Sequence, residues 1–165
     1  MSAITIIYGS TMGNTQSVAE DIAAALTAHN VTILDVSNAS AADFEGAEAL
    51  ILGSSTWGLG DLQDDWEMAI DTLKSASLSG KKVALFGCGD ASSYCDTFVD
   101  AMGIIYEAAT EAGAVVVGST DTAGYGYTSS RAEVDGALVG LAIDDNGSDN
   151  SSKIAAWAAE ISSQL

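Results

Sequence analysis

The chain has 165 residues, 48% of them hydrophobic, and a net charge of −18 from 23 acidic and 5 basic side chains. That length suits one ordinary domain with a sizeable core, residues 1–165. So few cations argue against binding nucleic acid or anionic membranes, and no apolar run nears the roughly 18 residues of a membrane span. The acidity favours basic partners, met by electrostatic steering, and equally suits solubility or adaptation to high salt. Met1-Ser2-Ala3 lacks a basic secretory leader, and Cys88 and Cys95 form neither a disulfide framework nor a metal spacing. Both features read as a cytoplasmic protein.

An apolar run over residues 3–8 predicts a first, buried strand. It empties through Tyr8-Gly9-Ser10-Thr11-Met12-Gly13-Asn14-Thr15 into a helical pattern near 15–28. The first N–H groups of a helix lack internal partners, and the macrodipole is positive there, so this loop is built like an anion site. Ser10, Thr11, Asn14 and Thr15 add neutral donors; no Lys or Arg lies within the loop. Its spacing is neither that of a Walker loop nor Gly-x-Gly-x-x-Gly, and a mononucleotide monophosphate suits it better. The same residues also read as a Gly-rich turn with capping hydroxyls and no ligand.

His29 falls at the expected end of that helix, a surface or helix-terminal position. Further strands are predicted at 31–36, 48–54, 82–88 and 114–119, with helices near 65–75, 98–112 and 151–163. Residues 37–46 read as a short crossover holding at most one helical turn. Gly80 and Gly113 are expected to stop helices before the next strand. Residues 120–150 break the rhythm. A second apolar run at 138–143 suggests an excursion between two pieces of the fifth strand. Strands that alternate with helices predict right-handed crossovers and a doubly wound α/β fold, with its ligand beyond the carboxyl ends of the strands.

Two of those ends carry aromatic residues. After strand three comes Ser54-Ser55-Thr56-Trp57-Gly58-Leu59-Gly60-Asp61, where Trp57 is placed to offer a flat face or to anchor the loop. After strand four comes Gly87-Cys88-Gly89-Asp90, followed by Tyr94. Trp57 and Tyr94 on neighbouring loops are placed to clamp a conjugated ring, and Asp90 to contact its polar edge. Trp66 and Trp157 read as core. Cys88 and Cys95 read as ordinary thiols, being no Cys-x-x-Cys pair.

Taken in order, the Ser10–Thr15 loop, the Ser-Thr-Trp-Gly loop with its Leu-Gln-Asp-Asp continuation, and the Gly-Cys-Gly-Asp…Tyr loop resemble those of the flavodoxin family. The tail, Val139 to Asn146 with Lys153 to Trp157, resembles the long-chain branch. The resemblance implies a five-stranded parallel sheet in order 2-1-3-4-5, helices on both faces and a fifth strand interrupted by an insertion near 120–138. It implies bound FMN, with Ser10, Thr11, Met12, Gly13, Asn14 and Thr15 at the phosphate. Thr56, Trp57, Gly58, Leu59, Gly60, Gly89, Asp90 and Tyr94 would border the isoalloxazine, with Trp57 and Tyr94 stacked on its faces. Met12 stands where the family usually has a hydroxyl, and Gly58 where long-chain members often have Asn.

The function implied by this resemblance is that of a low-potential one-electron carrier, monomeric, without substrate turnover of its own. Ferredoxin-type partners such as ferredoxin-NADP reductase or photosystem I are implied. On reduction, the Gly58–Leu59 peptide is expected to rotate its carbonyl toward flavin N5. The alternative on the same scaffold is an NAD(P)H:quinone or FMN reductase, against which stands the lack of a general base or dinucleotide-binding cation near the flavin loops.

Overall fold

Runs rich in Val, Ile and Leu bury strands on both faces, and the long strands here obey that rule. The structure, a computed structural model, describes residues 3–10, 13–57, 60–123, 125–145, 147 and 149–165, with only the backbone of Trp57. In chain order it runs β1 (Ala3–Gly9), α1 (Asn14–Ala25), β2 (Asn30–Asp35), a 3-10 turn (Val36–Asn38), α2 (Ala41–Gly46), β3 (Ala49–Trp57) and β4 (Asp61–Leu62). It continues with α3 (Asp64–Ser75), β5 (Lys82–Gly89), α4 (Asp100–Glu111), β6 (Val115–Val117), β7 (Glu133–Val134), β8 (Ala137–Leu138), β9 (Leu141–Asp144) and α5 (Asn150–Ser162).

The parallel sheet has the order β2-β1-β3-β5-β6. Counting only its long strands, this is the expected 2-1-3-4-5. The fifth strand comes in two pieces. β6 pairs with the start of β5 (Lys82 opposite Val115), and β9 pairs with its end (Gly89 opposite Asp144). Between them the chain leaves the sheet, forms the β7-β8 hairpin and returns through a Thr120–Leu138 bridge. β4, a two-residue strand antiparallel to the end of β3, was not anticipated.

Even within these apolar runs the two faces alternate. Ile4, Ile6, Ile51, Phe86 and Ile143 pack toward α1 and α5, with Trp157. Ile7, Leu50, Leu52, Val83 and Leu85 pack toward α3 and α4, with Trp66 and Phe44. Each buried ring contributes on the order of 2–3 kcal/mol relative to exposure. Each indole also has a polar partner: Trp66 Nε1 donates to Gly53 O at 2.7 Å, and Trp157 Nε1 to Gly118 O at 2.8 Å. A Cβ at Gly53 would lie 2.1 Å from the Phe86 ring, so that pair admits no side chain there.

Several boundaries differ from expectation: β3 runs on to Trp57, three residues past the expected end, and β6 is shorter than the expected 114–119. α1 ends at Ala25 because Leu26 leaves helical geometry while its N–H still bonds Ile22 O and Ala23 O. Gly113 follows the α4 cap as predicted, but Gly80 does not end a helix: α3 stops at Ser75, and Gly80 turns the chain into β5. The 37–46 crossover carries the 3-10 turn and the six-residue α2, opened by a Ser40–Asp43 capping box. His29, beyond α1, lies with Nε2 at 3.0 Å from Ser162 O and 2.9 Å from Ser162 Oγ. That places it at the amino-terminal edge of the sheet.

Candidate functional site

β1, β3, β5 and β9 all end at one edge of the sheet, and the strand order reverses between β1 and β3. Their loops enclose a cavity of about 230 Å³. On one side stand Ser10, Asn14 and Thr15, at the start of α1. Gly13 caps that helix at φ 93, a left-handed conformation open to glycine, and its N–H donates to Ser10 Oγ at 3.0 Å. No acidic residue occupies the first turn and, among the described residues, no side chain caps it, so the opening N–H groups are available to an anion.

Thr15 is 1% exposed. Among the described residues its Oγ1 makes no hydrogen bond of ordinary geometry. Its polar neighbour is the Cys88 sulfur, a weak acceptor for the Thr15 hydroxyl. Burial pushes that thiol up to about 12, Thr15 draws it slightly down, and the Asp145 charge adds to the rise. Cys88 is therefore a neutral packing group rather than a reactive thiolate.

The opposite wall comes from the ends of β3 and β5. Ser55 and Cys88 are register partners there, beside Thr56. Thr56 Oγ1 accepts from Ala101 N at 3.1 Å, which fastens β3 to the start of α4. Ser54 Oγ accepts from Gln63 N, and Gln63 Oε1 accepts from Asp65 N and Trp66 N, so one buried amide caps α3 behind the loop.

After β5, Gly89 and Asp90 line the cavity, with Tyr94 at its lip. Asp90 Oδ1 accepts from Ser92 N and Ser93 N, both at 3.0 Å, and Asp90 O from Tyr94 N at 2.9 Å. This Asx turn aims Tyr94 outward, 46% exposed despite its ring. Asp145 closes the wall, its N–H donating to Gly89 O at 2.8 Å.

Ser10, Asn14, Thr15, Thr56, Gly89, Asp90 and Tyr94, all named from the sequence, thus share one cavity. Gly13 sits behind it as the helix cap, and Gly60, at φ 98, lies against Asp100. Thr11, Met12, Gly58, Leu59 and the side chain of Trp57 lie outside the described residues, and with them both departures from the family pattern and the rotating peptide. Sequence reasoning missed Ser55 and Cys88 as wall residues. Their signal was positional: each lies one residue before a predicted loop residue, on paired strands.

Asp145 is held above its ordinary 3.8, first by burial, then by repulsion from Asp144 and Asp90. A raised carboxyl value means the folded chain binds that proton more tightly than the unfolded chain does. The resulting penalty is absent below about pH 4, grows as pH rises through the folded value, and is complete near pH 7. Asp145→Asn is therefore expected to raise the urea midpoint near neutral pH and to lose that gain near about pH 4.

A family model described as Flavodoxin matches residues 6–157. The chain is 40% identical over 164 residues to a flavodoxin of a Picosynechococcus strain, covering 98% of this chain and 96% of that protein. The chain belongs to the flavodoxin family. A second relative, the flavodoxin of a Nostoc strain, is 41% identical with the same coverage. Among solved flavodoxin structures, that of Fusobacterium nucleatum bound to flavin mononucleotide superposes with a TM-score of 0.94 at 27% identity, covering 100% of this chain and 99% of that one. Oxidised Flavodoxin 2 of Bacillus cereus superposes at 0.78 and 30% identity, covering 99% and 100%. Flavodoxins are electron-transfer proteins, so the chemistry of this flavodoxin lies in how its sheet edge holds a redox group.

Proposed function

We propose that this chain is a low-potential one-electron carrier that holds FMN at the carboxyl edge of its sheet and exchanges electrons with basic-surfaced redox proteins. One observation carries the reading. A single cavity leads from an uncapped helix N-terminus, with an under-bonded buried hydroxyl, to an exposed tyrosine, and no cation lies on its described wall. The donor set fits a phosphate monoester held by neutral hydrogens.

Ser10, Asn14, Thr15 and the first N–H groups of α1 would hold the phosphate. Thr56, Gly60, Gly89 and Asp90 would border the ring, and Tyr94 would cover one face; Thr11, Met12, Gly13, Trp57, Gly58 and Leu59 complete the set expected from the sequence. When bound, FMN supplies the one-electron chemistry. The residues would orient it, and Tyr94 would limit water around it. Asp90 and Asp145 put negative charge on the wall of the site.

Charge is distributed to suit partner docking. Lys74, Lys81 and Lys82 lie at the end of α3 and the start of β5, at the opposite edge of the sheet from the cavity. Arg131 is paired with Glu107 at 2.8 Å and Lys153 with Asp149 at 3.5 Å. The cavity edge is left to Asp61, Asp64, Asp65, Asp90, Asp96, Asp144 and Asp145, a field that steers basic partners and weakens with salt. Ferredoxin-NADP reductase and photosystem I are the partner types this reading names.

The test is a visible spectrum during stepwise reduction. Purified protein titrated with FMN is expected to turn yellow, to bind with a Kd below about 1 μM, and to reduce in two resolved one-electron waves. With NADPH and a quinone alone it should show almost no turnover. Colourless protein that refuses FMN would sink the carrier reading, and brisk NADPH consumption would replace it with a reductase.

A further inference from the structure

We infer that Gln63 is a positioning residue for the cofactor: one buried amide joins the origin of the phosphate loop to the base of the β3–β4 hairpin and so fixes two walls of the cavity relative to each other. The inference rests on the FMN reading above.

Gln63 is 2% exposed and lies outside the cavity lining. Burying a primary amide is costly unless its donors and acceptors are used. Here they are used, and in one setting only. Oε1 accepts from Asp65 N at 3.0 Å and from Trp66 N at 3.3 Å, while Nε2 donates to Asp65 Oδ2 at 2.9 Å. Backbone donors on one side and a carboxylate on the other forbid the flipped amide.

Capping α3 occupies only the side chain. Through its backbone Gln63 closes a hairpin. β4 pairs antiparallel with the end of β3, Leu62 opposite Thr56 and Asp61 opposite Trp57. One step further on, Gln63 N donates to Ser54 Oγ at 3.3 Å, and Ser54 Oγ donates to Ser55 O at 2.8 Å. Ser54 is fully buried. These bonds seal the base of the hairpin that carries Thr56 and Gly60, and Ser55 and Thr56 stand on the cavity wall.

The same amide abuts the opposite wall. Gly9 ends β1 as the register partner of Ser54, and Ser10 follows it into the cavity. A Cβ at Gly9 would lie 2.3 Å from Gln63 Oε1 and 2.5 Å from Trp66 Cδ1, so amide and indole press directly on the backbone there. The indole is itself held, because Trp66 Nε1 donates to Gly53 O, one residue before Ser54. A displaced amide would therefore move Gly9, Ser54 and the start of α3 together. Walls set at a fixed spacing before the ligand arrives have less freedom to lose on binding.

The test uses the full chain and two probes, FMN and riboflavin, which share the ring and differ by the phosphate. Dissociation constants are read by flavin fluorescence, with the urea midpoint of the ligand-free protein alongside. Gln63→Met keeps the length of the side chain and removes the amide; Ser54→Ala removes the bond at the hairpin base. Gln63→Met is expected to weaken FMN about tenfold and riboflavin about threefold, since FMN senses both walls. Ser54→Ala is expected to weaken FMN about threefold and riboflavin less. The double variant should match Gln63→Met within about twofold instead of reaching about thirtyfold, because both substitutions open one junction.

Wild-type affinities with a lowered urea midpoint would leave Gln63 a helix cap alone and overturn the inference. Losses that multiply in the double variant would overturn it too, as two independent contacts would then be at work. So would losses equal for both flavins or confined to FMN, since each would limit the effect to one wall. Should Gln63→Met fail to fold, Ser54→Ala decides: a loss larger for FMN than for riboflavin supports the junction, and any other result refutes it. Wild-type protein that binds neither flavin sinks the FMN reading. Wild type that binds both, with variants that match it, sinks the junction alone.

Discussion

Thr15→Val is expected to strengthen the ligand-free protein and weaken its hold on FMN. Thr15 Oγ1 is buried without an ordinary hydrogen bond among the described residues, beside the Cys88 sulfur, a weak acceptor. Removing a poorly satisfied buried hydroxyl is expected to add about 0.5–1 kcal/mol to apoprotein stability, read as a higher urea midpoint. The same hydroxyl facing a dianionic phosphate would make a charge-assisted hydrogen bond, and losing one of these costs about 1.5–3 kcal/mol, roughly 10- to 150-fold in Kd. Riboflavin, which carries no phosphate, should bind both forms equally. Equal loss for both flavins would move Thr15 from the phosphate to the ring.

Neutralising the carboxylates on the cavity wall is expected to make the second reduction step easier. Adding that electron places further negative charge beside Asp90 and Asp145. Asn at either position keeps the shape; at Asp90 it also keeps an acceptor for Ser92 N and Ser93 N. Each 59 mV of a one-electron potential corresponds to roughly 1.4 kcal/mol, and a half-exposed charge in partly aqueous surroundings supplies a fraction of that. The double variant Asp90→Asn/Asp145→Asn should therefore raise the second potential by about 30–80 mV in low salt, with a smaller rise at high ionic strength. Spectroelectrochemical titration at two salt concentrations reads both effects, and an unmoved potential would remove electrostatics as the source of a low value.

Reading the sequence in order located the sheet and most of the cavity wall for a physical reason. Strands buried on both faces must be unbroken apolar runs, and the loops after them must carry the polar chemistry. Residues 3–8 and 82–88 could hardly be anything else, and Thr56, Gly89, Asp90 and Tyr94 were legible as residues of the polar, Gly-rich stretches that follow such runs. Ser55 and Cys88 were not, because wall membership there depends on the β3–β5 register, which pairs them across more than thirty residues of chain. Asp144 and Asp145 stand side by side after the last strand, and only the bond from Asp145 N to Gly89 O and its place on the cavity lining distinguish it as the wall carboxylate.

Local pattern alone carried the alternation of strands and helices, the net acidity, the Gly- and hydroxyl-rich loop ahead of α1 and the presence of an excursion after the fifth apolar run, because each depends on composition or on neighbours in sequence. Tertiary structure decided what no local pattern carries. It left the Thr15 hydroxyl buried without a full partner, and it brought Phe98, Tyr125 and Tyr127 into one cluster from opposite sides of α4. Burial and long-range hydrogen bonds are properties of the packed chain, which no single stretch of sequence carries.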